Sequence, residues 1–162
     1  MTTTTDKISY GTSTAITITL NSLASSATVG RQSTVVDNTS NLFDDVYVTV
    51  IITTSASALG SDKSVYVYFT GSEDGTNYDQ DDGVMGTTDA AYTINASSNL
   101  KGPGVISCIT SSKVYNRTFI LSQFFGGIVP RKWGMVVCNF TNQSLSASGN
   151  SASYTGITYT NS

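Results

Sequence analysis

Two stretches dominate what this chain can become: DVYVTVIITT at residues 45–54 and SVYVYFT at residues 64–70. Both are rich in β-branched and aromatic residues, and the second alternates strictly. Val65, Val67 and Phe69 fall on one side, with Tyr66 and Tyr68 on the other. A two-residue period places alternate side chains on opposite faces of a pleated strand. One face therefore enters a core, and Tyr66 and Tyr68 are expected to face outward or toward a neighbouring subunit.

The same period recurs elsewhere. In TAITITL, residues 14–20, Ile16, Ile18 and Leu20 alternate with Ala15, Thr17 and Thr19. Further strands are predicted near residues 33–36, 91–94, 105–109, 113–121, 133–140 and 153–160, punctuated by Gly30, by Asn/Asp/Ser clusters and by NASSNLKGPG, where Pro103 stands between two glycines. No apolar repeat at three- and four-residue spacing runs along the chain, and one short helical turn fits near residues 121–125. The fold expected is all-β: a two-sheet β-sandwich or jelly roll of about eight or nine strands with little or no helix. An eight-stranded barrel is the competing closure.

Composition supports this reading. Twenty-five Thr, 24 Ser and nine Tyr accompany only 12% charged residues, which suits half-buried sheets and leaves little material for helices. Low charge with 39% hydrophobic residues also argues against disorder. At 162 residues one core suffices, burying about 70% of the unfolded surface. Residues 1–12 read as a flexible polar arm and residues 13–162 as one sandwich domain.

The net charge of −3 removes the electrostatic attraction on which nucleic-acid or anionic-membrane binding depends, so neither partner is expected. The opening MTTTTDKISYG holds no hydrophobic signal core, and synthesis in a cytosol is expected. With no histidine the usual nucleophile–base triads are impossible, and two cysteines are too few for a zinc site. Glu73 is the sole glutamate, so a carboxylate pair for glycoside chemistry is poorly supplied. Neither enzymatic activity nor a cofactor is expected.

Three smaller features bear on chemistry. Cys108 and Cys138 lie in apolar segments and read as buried free thiols, with a cross-strand disulfide as the alternative. Five Asn-X-Ser/Thr matches, at Asn38, Asn95, Asn116, Asn139 and Asn142, are what such a composition yields by chance. The stretch FTGSEDGTNYDQDDGVMG concentrates Glu73, Asp74, Asp79, Asp81 and Asp82 but lacks the spacing of a calcium loop. Its first half reads as a hairpin, with Asp74-Gly75 making the turn and Tyr78 restarting the strand, and its second half as a charged, solvated rim.

The segment FFGGIVPRKWG stands apart, because aromatic, glycine, proline and basic residues meet there in a chain short of positive charge. Phe124, Phe125 and Trp133 read as core. Pro130, Arg131 and Lys132 read as an exposed turn that anchors an acidic partner surface, since arginine is enriched where interfaces concentrate their binding energy.

Taken together, YGTSTAITITLNSLASSATVGRQSTVVDNTSNLFDDVYVTV, VYVYFTGSEDGTNY and FGGIVPRKWGMVVCNFTNQSLSASG resemble a family of small virion structural proteins of tailed bacteriophages, over most of the chain from about residue 10. The resemblance implies a non-enzymatic particle component, first of all a capsid decoration or cement protein on the outer head surface, partnered by the major capsid protein and by itself, often as a trimer. The polar arm, with Asp6 and Lys7, is then expected to order against the shell. The alternative reading is a tail- or fibre-associated module, or a carbohydrate-binding β-sandwich, because the S-x-D-G-x-x-Y hairpin is similar to one found in such modules.

Overall fold

The computed structural model describes residues 6–80, 88–95 and 98–161. Its strands, in chain order, are β1 (Asp6–Tyr10), β2 (Thr14–Ile16), β3 (Val29–Gln32), β4 (Val36–Asp37), β5 (Asp45–Thr53), β6 (Ser64–Ser72), β7 (Ala90–Thr93), β8 (Lys101–Ser107), β9 (Val114–Ile120), β10 (Lys132–Asn139) and β11 (Ser151–Asn161). A single 3-10 turn, Leu121–Phe124, follows β9. The first sheet runs β1-β11-β5-β9, with β2 also on β11; the second runs β7-β3-β10-β6-β8, with β4 also on β10. All these strand pairs are antiparallel. The molecule is thus an all-β sandwich, and the barrel does not form because each sheet keeps two unjoined edges.

The alternation of β5 and β6 does what their sequences require. Val46, Val48, Val50 and Ile52 enter the core from one sheet, and Val65, Val67 and Phe69 enter it from the other. Trp133, Met135 and Val137 of β10 join them, each directly opposite a β6 residue: Gly71, Phe69 and Val67. Phe69, Phe119 and Phe124 pack ring against ring at 4.6–6.2 Å between centroids. Such aromatic contacts add to what simple area burial contributes.

The other face of β10 is buried too. Val136 and Cys138 lie with Tyr92, Ile94 and Leu100 in a second cluster, against which Tyr66, Tyr68, Tyr78 and Phe140 pack. The chain between β6 and β8 supplies Tyr78, Tyr92, Ile94 and Leu100, so it covers the outside of the second sheet. Among the described residues no comparable layer covers the outside of the first sheet.

Several expectations change. Residues 6–10, read as part of a flexible arm, form β1, because the far half of β11 extends past the start of β5 and would otherwise present unpaired backbone. Only Thr14–Ile16 of the predicted strand at 14–20 joins a ladder, although Ile16 and Leu20 are buried as the alternation demands. Gly30 does not break the chain: it sits inside β3, where a Cβ would meet the Cys138 Sγ at 2.4 Å and the Val137 oxygen at 2.8 Å. β8 continues past Pro103 through a register shift, Gly102 and Pro103 lying between Gly104 opposite Val67 and Lys101 opposite Phe69, and a bulge on an edge strand tolerates proline. The one short helical turn lies where it was expected.

Asn139 ties one end of the sandwich together. Its Nδ2 donates to the carbonyls of Leu23 (2.9 Å) and Gln143 (2.6 Å), while its Oδ1 accepts from the Thr141 N–H (3.0 Å) and hydroxyl (2.8 Å). The side chain is fully buried, so the Asn-Phe-Thr match at this position serves the fold. Asn139→Ala should lower unfolding stability by about 2 to 4 kcal/mol, since it strands several buried polar groups at once; urea melts at neutral pH read this directly. Cys108 and Cys138 are free and buried, in different clusters, and burial pushes their thiols up to about 11 and about 12. Both should stay silent to a thiol reagent at pH 8 in the folded protein and react together once it is denatured.

Candidate functional site

Three connections meet at one end of the sandwich: the turn after β4, the hairpin after β6 and the glycine-containing segment before β10. The Asn38 N–H donates to the Arg131 carbonyl (2.8 Å), which joins the first to the third. The Asn38 side chain then folds the turn on itself, donating to the Phe43 carbonyl (3.2 Å) and accepting from the Phe43 N–H (2.9 Å). Leu42, at φ 50°, is left 72% exposed at the tip. A left-handed backbone at a leucine is unusual and is held here by those bonds.

Across from it, Asp45 accepts from the Ser122 N–H (3.2 Å) and hydroxyl (2.7 Å), fixing the 3-10 turn to the start of β5. Gly126 and Gly127, at φ 70° and 99°, then reverse the chain and set Ile128 on the surface at 70% exposure. Pro130 is buried: it packs with Phe125 over the bare Cα of Gly71, where a Cβ would lie 2.6 Å from each ring.

The three residues expected to form one basic turn therefore separate by role. Pro130 is an internal anchor. Lys132 opens β10 and reaches the Asp37 carboxylate at 3.7 Å. The hydroxyl and N–H of Thr39 hold that carboxyl below its ordinary value, with Lys132 contributing less. Arg131 alone keeps the expected character, being exposed and making no ion pair among the described residues. Sequence reasoning missed its two apolar companions, Leu42 and Ile128, because a single leucine or isoleucine in a polar loop carries no periodic signal.

Tyr66 and Tyr68 do not stand free. Both are half-buried beneath the chain that crosses the second sheet, and Tyr66 meets Phe140 edge to face at 4.8 Å. Their surroundings are this protein's own second cluster, so they offer a partner little. Lys7 lies in β1, exposed; Asp6 begins the same strand.

The acidic hairpin keeps its turn but does not return as a strand. Gly75 takes φ 79°, and Tyr78 goes on into the second cluster. The Asp74 carboxylate accepts from the Thr76 and Asn77 N–H groups (both 2.8 Å), the Asn77 amide (2.6 Å) and the Ser72 hydroxyl (3.0 Å). Those donors hold its carboxyl far below the ordinary range, and they occupy the oxygens a cation would need. Among the described residues no group of three or more acidic or cysteine side chains is placed to bind a metal; Asp81 and Asp82 lie outside those residues.

Because the folded pKa of Asp74 is depressed, its stabilisation is complete above the unfolded value near pH 4 and fades as acid approaches the folded value. Asp74→Ala should thus melt below the parent at pH 7, with the gap narrowing steadily from about pH 4 downward; thermal scans from pH 7 to pH 2 test this. No family model, curated protein or solved structure matches the chain.

Proposed function

We propose that the protein is a non-enzymatic structural component of a tailed-bacteriophage virion: a decoration or cement protein that binds the major capsid protein on the outer head surface, associates with itself and stabilises the shell. The observation that carries this reading is the loop end of the sandwich, where Arg131 is exposed in the segment that also exposes Ile128, and its carbonyl is bonded to the turn that exposes Leu42. A cation on the same loop end as two exposed apolar side chains suits an acidic, partly apolar hollow on a partner, and rigid mounting keeps the ordering cost of binding low. The ordered likeness to small phage structural proteins points the same way. This role asks for no cofactor, nucleic acid or membrane.

One observation favours the runner-up, a tail-associated or carbohydrate-binding module. At the opposite end of the sandwich a polar hollow of about 430 Å³ is lined by Ser26, Ser61, Asp62, Asn142 and the ring of Phe140. Hydroxyls, a carboxylate and an amide beside an aromatic ring are the groups a sugar engages.

The deciding experiment adds purified protein to capsids that lack it, then measures occupancy by pelleting and survival on heating. The double variant Ile128→Ser, Arg131→Glu should lose at least about ten-fold in occupancy while melting like the parent, since both side chains are exposed. Absence of the protein from purified particles, or equal decoration by the variant, overturns the reading. Density on the tail together with glycan-array binding establishes the runner-up instead.

A further inference from the structure

β1 is an edge strand of the first sheet. It pairs with β11 alone, from Asp6 opposite Asn161 to Tyr10 opposite Ile157, whereas β5 follows β11 only as far as Ile157 opposite Asp45. Beyond that point the Asp44 carboxylate takes over, accepting from the Tyr159 N–H at 2.7 Å. The rest of β1 and β11 continues as a two-stranded ribbon past the body of the sandwich. Lys7, Ile8, Ser9 and Tyr10 are all exposed, so neither face of β1 is covered.

One face of this ribbon is apolar. Ile8 (55% exposed) stands directly opposite Tyr159 (57%), and Tyr10 (58%) stacks on Tyr47 at 6.1 Å between centroids. Three large side chains more than half exposed present roughly 400 Å² of largely apolar surface, a patch of the size that marks an interaction site. A two-stranded ribbon is also marginal in water unless something extends or covers it.

Among the described residues its outer edge is open in a way the edges at β7, β8 and β9 are not. β8 is blunted by Pro103, which has no N–H to offer. β9 carries Arg117 on its core-facing side, exposed over the Phe119 ring at 5.6 Å, and an inward charge discourages pairing. β7 is only four residues long. β1 has five residues with no proline, glycine or bulge.

We propose that β1 is a self-association edge, pairing antiparallel with β1 of a second copy about a two-fold axis through Ile8, so that the first sheet continues across two subunits. The sequence suits this register. Ile8 faces the partner's Ile8, Lys7 faces the partner's Ser9 and Asp6 faces the partner's Tyr10, so no like charges meet. Any register that set Lys7 against itself would be repelled. Edge-to-edge pairing sets the two apolar faces side by side on one side of the continuous sheet, so the contact is the new five-residue ladder with Ile8 beside its own copy, smaller than a standard complex. The dimer should therefore be concentration-dependent, with dissociation at roughly micromolar levels. This inference deepens the self-association named in the proposed function, but it does not rest on capsid binding and stands or fails without it.

The test uses the full chain. Sedimentation velocity over about 1 to 500 µM should show a shift from one-chain to two-chain mass. In parallel, Ile8→Cys and a control on the opposite edge of the same sheet, Val114→Cys (Val114 is 65% exposed), are oxidised under native conditions, where the two natural thiols are buried. Ile8→Cys should give at least about ten-fold more covalent dimer than the control, because only there does the axis bring the new thiol to its own copy. One-chain mass at every concentration, three-chain mass, or equal crosslinking by the two variants overturns the proposal.

Discussion

The ladder between β6 and β10 is the constraint on which the rest of the molecule depends. Eight residue pairs join the two strands, from Lys132 opposite Ser72 to Asn139 opposite Val65, and β10 is buried on both faces along nearly its whole length. A strand in that position needs an apolar layer on each side. The first sheet supplies one. The crossing chain between β6 and β8 supplies the other, with Tyr92, Ile94 and Leu100. Among the described residues no comparable layer lies over the first sheet, so the molecule acquires one covered side and one more open side.

That asymmetry organises the surfaces available for binding. The loops where β6 ends and β10 begins are drawn together by the ladder, so Leu42, Ile128 and Arg131 arrive at one end without any of them belonging to a strand. In the ribbon of β1 and β11, Tyr10 leans on Tyr47 while Ile8 and Tyr159 stay more than half exposed. Arg117 shows the complementary principle: a charge set on the core-facing side of an edge strand rests over Phe119 and leaves that edge unattractive to further strands.

Much of the sheet pattern was legible because it is written in alternation. β5, β6 and the buried half of residues 14–20 follow directly from every second residue being apolar, and β9, β10 and β11 from shorter versions of the same signal. What could not be read was set by neighbours. β1 is polar and Thr-flanked, and it is a strand only because β11 overhangs it. Pro103 and Gly30 look like breaks in one dimension, but a bulge on an edge strand accepts the first and close approach to Cys138 selects the second. Tyr66 and Tyr68 were rightly placed on the outward face, yet the layer that covers them comes from a stretch with little periodicity. In the candidate site, Arg131 was visible as an unusual charge, while Pro130 and Lys132 were assigned to the surface because sequence adjacency hides the switch from buried to exposed at each step.

The placement of the two thiols has a consequence for where such a protein can work. Cys108 contributes to the main core and Cys138 to the cluster on the other side of the second sheet, so the sheet itself stands between them. Joining them would require dismantling it. The folded chain therefore keeps the same covalent structure in reducing and in oxidising surroundings, and passage from one to the other neither strengthens nor weakens it.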